Sequence, residues 1–80
     1  MPREQSFSQM VDHLLYAVEM QFNRGGNTFS HDFRRELTES EKSELMRETA
    51  YYFGDGVSLT IEDSGKVSFA KNSTYRPPNT

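Results

Sequence analysis

The chain contains no cysteine, and that single absence removes disulfides, cysteine-based zinc sites and thiol nucleophiles together. No apolar run approaches the length of a membrane span, which requires about 20 consecutive apolar residues. The opening stretch, MPREQSFSQM, lacks the basic-then-apolar pattern of a signal peptide. A cytoplasmic protein is therefore expected, and the glycosylation sequon Asn72-Ser73-Thr74 carries no meaning without secretion. Excess positive charge is missing too. A net charge of -3 and a pI near 5.3 do not suit a protein that gathers phosphate backbone by bulk charge. Histidine is limited to His13 and His31. The pair His31-Asp32 occurs in metal-dependent phosphohydrolases, but those need several more ligands, so neither a metal nor a cofactor is expected. No Ser-His-Asp constellation can be assembled, and Gly25-Gly26 lacks the strand-loop-helix context of a phosphate cradle. No catalytic residue is assigned.

What remains is a single small domain, because 80 residues bury only one modest core. Hydrophobic residues make up 34% of the chain, with six Phe and four Tyr among them, so burial is concentrated in a few large aromatic side chains. A core of this size supplies only a few kcal/mol, and external support from oligomerisation or a partner is expected.

Residues 1–5 read as a frayed terminus. Ser6-Phe7-Ser8-Gln9 is a capping box, and Phe7, Met10, Val11, Leu14, Leu15, Val18 and Phe22 recur at helical spacing until Gly25-Gly26 supplies a left-handed stop. The stretch NTFSHDFRREL, 27–37, reads as a short extended piece at 27–29 followed by one or two helical turns. Thr38-Glu39-Ser40-Glu41 is a second capping box, and Leu45, Met46, Thr49, Ala50 and Phe53 form the expected inward stripe of a second helix that Gly54 ends. Val57, Leu59 and Ile61 alternate as in a half-buried strand. A three-residue loop, Asp63-Ser64-Gly65, then pairs Ile61 with Val67 and Leu59 with Phe69, placing the apolar residues of both strands on one face. From Asn72 the polar, proline-rich NSTYRPPNT reads as a flexible tail, 72–80. The expected fold is α+β: one domain over 6–71, with two main helices packed on a small antiparallel sheet containing a C-terminal β-hairpin. The element order also matches winged-helix topology, as an analogy without a supporting motif.

Two surfaces are candidates for binding. Around the first helix, at about 100° per residue, the core-facing positions span an arc of roughly 140°, while His13, Tyr16 and Met20 form a second stripe opposite it. Such a stripe either lies under residues 27–37 or meets another molecule. On the second helix, Glu41, Glu44, Glu48 and Tyr51, with Arg47 alongside, gather into an acidic face. That face is either a solvated helix surface, with Glu44 pairing with Arg47, or suited to a basic partner surface, while Lys42 can snorkel beside the buried stripe. Arg34, Arg35, Lys66 and Lys71 are the basic residues that a nucleic-acid-binding regulator of winged-helix type would use. Against that alternative, several glutamates on the helix that would enter the major groove would face dense phosphate charge. The leading expectation is a small non-enzymatic protein-interaction module, a stoichiometric inhibitor or accessory subunit of bacterial or phage type. It would occupy a basic surface of a larger protein or complex, or pair as a homodimer, with no role for a membrane.

Overall fold

The computed structural model describes residues 6–76; the stretch read as a frayed terminus lies outside them. The first helix, α1 (Phe7–Asn23), starts where Ser6 caps it. The Gln9 amide donates to Ser6 Oγ at 3.2 Å and the Ser6 amide to Gln9 Oε1 at 3.3 Å, so two of the orphan donors of the first turn are satisfied reciprocally. At the other end Gly25, at φ 99°, donates to the Phe22 carbonyl, and Gly26 to the Gln21 carbonyl. These crossed bonds form a Schellman stop that a Cβ at position 25 would strain. Val11, Leu14, Leu15, Val18 and Phe22 are buried, the stripe expected from their spacing.

Residues 30–37 depart from the sequence reading. Strand β1 (Thr28–Asp32) runs further than residue 29, and no helical turn follows it before residue 39. The alternation of Phe29, His31 and Phe33 prevails over the weak helical signal because a strand partner is available along the whole stretch. Where the strand ends, Arg34 takes a left-handed backbone, φ 64°, and its amide donates to Asp32 Oδ1 at 2.8 Å. Leu37 then drops into the core.

Helix α2 (Glu39–Phe53) is capped by Thr38 and stopped by Gly54 at φ 63°. Its buried stripe is narrower than expected: Leu45, Thr49 and Phe53 are inside, whereas Met46 and Ala50 are exposed. Tyr52, on the other flank, takes the position facing α1 and turns Ala50 outward. Thr49 is buried at no polar cost, since its hydroxyl donates to the Leu45 carbonyl at 2.7 Å.

A single 3-10 turn, Gly54–Gly56, leads into β2 (Val57–Ile61), which pairs with β3 (Lys66–Lys71) in the expected register, Ile61 opposite Val67 and Leu59 opposite Phe69. Gly65 is left-handed, φ 95°. Strand β1 adds to the other side of β3, so the antiparallel sheet has the order β1-β3-β2. Cross-strand rows Phe29, Phe69, Leu59 and His31, Val67, Ile61 fall on the helix side. The rows Thr28, Ala70, Ser58 and Ser30, Ser68, Thr60 fall on the opposite, polar side. The α+β class is as read; the short helix that a winged-helix order requires between β1 and α2 is absent.

The stretch read as a tail starts with a held turn. The Asn72 side chain and the Thr74 hydroxyl both donate to the Asp55 carbonyl, and Tyr75 packs edge-on against Phe22 with ring centroids 5.5 Å apart. Residues 77–80 lie outside the described region.

Candidate partner-binding surface

The acidic face of α2 divides into two parts with different work. Glu41 is held within the fold: Arg35 Nη1 and Nη2 donate to its two carboxylate oxygens at 2.8 Å each, and the Thr38 amide donates to Oε1 at 2.9 Å. A planar fork matched to a carboxylate is the strong form of this contact. It holds the Glu41 carboxyl down at about 2, the guanidinium hydrogen bond being the main cause and the Thr38 amide the next. Glu41 is therefore a cap and a tether for the 33–37 loop. Glu44, Glu48 and Tyr51 follow at i, i+4 and i+7, within about 60° of one another around the helix. The two glutamates are half-buried, and Tyr51 is 87% exposed.

The second stripe of α1 also divides. Segment 29–33 covers only one flank of the helix, leaving a groove of about 340 Å³ lined by Met10, His13, Leu14, Ala17, Phe29, His31 and Phe33. Phe33 closes one end by packing on Phe7, with ring centroids 5.6 Å apart. His13 thus belongs to this groove. Met20 is partly buried, and Tyr16 stays 58% exposed.

Tyr16 neighbours a polar contact that the sequence reading missed. Glu19 is 3% exposed, and the Tyr52 hydroxyl donates to its Oε1 at 2.6 Å, joining α1 to α2 across the core boundary. That bond, reinforced by burial and by the Glu19 charge, pushes the Tyr52 phenol up to about 12. The signal was present in the wheel: Glu19 follows Leu15 by one turn and sits one step outside the apolar arc, where a carboxylate can lie inside only with a donor facing it.

The basic residues are not brought together. Arg35 is engaged by Glu41. The Lys71 ammonium lies 5.8 Å from the Phe22 ring centre and 5.4 Å from that of Tyr75, and it donates to the Phe22 carbonyl at 3.4 Å, a partly buried cation-π position. Lys66, opposite Asp32 in the register, begins β3 and Lys71 ends it, about 16 Å away along an extended strand. Arg34 is exposed at the bend. The Lys42 ammonium reaches Glu39 at 3.4 Å.

Among the described residues, no three His, Asp or Glu side chains are placed to hold a metal ion, and no helix is long and apolar enough to cross a membrane. Compared with known proteins, the chain matches no family model, no curated protein and no solved structure.

Proposed function

We propose that the chain is a small non-enzymatic interaction module, working in the cytoplasm as a stoichiometric inhibitor or accessory subunit, that docks on a basic surface of a larger protein through the α2 flank of Glu44, Glu48 and Tyr51. The observation that supports it is Tyr51, a large aromatic left 87% exposed beside two carboxylates that, among the described residues, no arginine or lysine neutralises in the way Arg35 neutralises Glu41. A tyrosine offers broad contact area with only two rotatable bonds to fix, and its ring face attracts an arginine guanidinium. Carboxylates one turn away can receive the same guanidinium, or a neighbouring one, as a fork. Arrangements of this kind supply the few residues that dominate binding free energy. Nucleic acid is the weaker candidate, because two of the four residues it would need, Arg35 and Lys71, already serve the fold.

The test compares proteins retained from a host extract by the wild-type chain, by the Glu44→Lys/Glu48→Lys double variant and by Tyr51→Ala. The expected result is one protein held by the wild type and lost by both variants, its purified form binding Tyr51→Ala at least about tenfold more weakly, a loss of about 1.4 kcal/mol. Retention of the same proteins at equal affinity by all three would remove this flank from the function.

A further inference from the structure

We infer that the open edge of β1 pairs antiparallel with the same edge of a second copy, in a register centred on Ser30, to form a two-fold dimer with a continuous six-stranded sheet. The hydrogen-bond alternation fixes which groups that edge presents. The Lys71 amide donates to the Asn27 carbonyl at 2.8 Å and the Phe33 amide to the Gly65 carbonyl at 3.0 Å, so the odd residues of the strand turn toward β3. Antiparallel geometry then directs the N–H and C=O groups of Thr28, Ser30 and Asp32 outward. Four of the five strand residues are exposed, and the strand carries no proline, lysine or bulge; its one carboxylate, Asp32, stands at its end.

The outward set is self-complementary. With Ser30 opposite its own counterpart, Thr28 meets the second copy's Asp32 at each end, and all three outward pairs exchange both of their hydrogen bonds. The two Asp32 carboxylates fall at opposite ends of the pairing, so no like charges meet. Sliding by two residues in either direction leaves one of the three pairs beyond the end of the strand. The same register brings Phe29 opposite the second copy's His31 in the close, non-hydrogen-bonded spacing of about 4.5 Å. Both side chains line the groove beside α1, so the open edge and the apolar groove lie side by side and one occupant covers both. An isologous contact of this kind closes on itself and leaves no free edge on the β1 side. The Glu44, Glu48 and Tyr51 flank lies on another element, so dimer formation and partner docking succeed or fail separately.

Because the chain has no cysteine, single cysteines report the register. Ser30 Cα atoms of two copies would lie about 5.5 Å apart, within disulfide reach, and Thr28 Cα atoms about 14 Å apart. Light scattering should give twice the 9.3 kDa chain mass. Under mild oxidation Ser30→Cys should cross-link to a covalent dimer, and Thr28→Cys should not. Ser30→Lys and Ser30→Glu should each be monomeric with an unchanged far-UV spectrum, and mixing the two should restore a dimer. A wild-type chain that stays monomeric at high concentration would overturn the inference. So would equal cross-linking of both cysteine variants, or a Ser30→Lys chain that remains dimeric.

Discussion

Arg34 and Gly65 are both left-handed, at φ 64° and φ 95°, and they respond to substitution in opposite directions. Arg34 is exposed, its amide tied to Asp32 and its side chain on the surface. A non-glycine residue in that region costs about 1–2 kcal/mol, against about 0.5–1 kcal/mol for the extra chain freedom of glycine. Arg34→Gly should therefore raise stability by about 0.5–1 kcal/mol. Gly65 is buried under the 33–37 loop, and a Cβ there would strike the Arg35 carbonyl oxygen. Gly65→Ala combines the left-handed penalty with backbone overpacking, together about 2–5 kcal/mol, which is most of what a core this small supplies. Urea unfolding of the two variants beside the wild type gives both signs in one experiment. A Gly65→Ala chain as stable as the wild type would mean that the loop does not rest on the hairpin turn.

The two helices are joined by a polar contact, Tyr52 to Glu19, and this contact gives the molecule an alkaline limit. The folded-state phenol is raised to about 12 from an ordinary value near 10, so the neutral hydroxyl is the form that folding favours. Its contribution is complete below about pH 10 and is lost as pH rises toward 12. Absorbance titration should show the Tyr52 phenol ionising only as pH approaches 12, with helical signal falling as it titrates. Tyr52→Phe should remove that late step and cost about 1.5–3 kcal/mol at neutral pH, the range for a hydrogen bond to a charged group. A wild-type chain whose late step is unchanged by Tyr52→Phe would exclude the contact. The place of Glu19 at the edge of the apolar arc was readable from helical spacing, but its partner was not, because the two stand 33 residues apart and only the packing of α1 on α2 brings them together. Helix ends and hairpin register were legible for the converse reason. Ser6 with Gln9, Thr38 with Glu41, and Gly65 after Ser64 carry their geometry within a few residues. Residues 30–37 were misread because alternation and helical capping competed there, and the strand partner that decided between them lies in β3, far along the chain. Of the candidate surface, Glu44, Glu48 and Tyr51 were readable from helical spacing. The tethering of Glu41 by Arg35 depended on a bend that no spacing rule marks.

Across the whole molecule, the last described turn is what completes the core's open end. Phe22 from α1, Phe53 from α2 and Tyr75 form one aromatic cluster, with Tyr75 5.5 Å from Phe22 and 6.0 Å from Phe53 between ring centres and the Lys71 ammonium over its ring. The cluster is possible only because position 56 is glycine: a Cβ there would come within 2.6 Å of Tyr75 Cα. The neighbour is main chain and cannot swing aside, so Gly56→Ala must push the 72–75 turn away. Tyr75→Ala, truncating a half-buried aromatic, should cost about 2 kcal/mol, below the range for fully buried rings. Gly56→Ala should cost a similar amount by displacing the same ring, since its backbone angle carries no left-handed strain. The two changes remove one interaction by different routes, so the double variant should be about as stable as either single variant, a coupling on the order of 2 kcal/mol. Additive losses in chemical denaturation would show that Gly56 and Tyr75 act independently. In that case the 72–75 turn would contribute to stability without depending on the glycine beneath it.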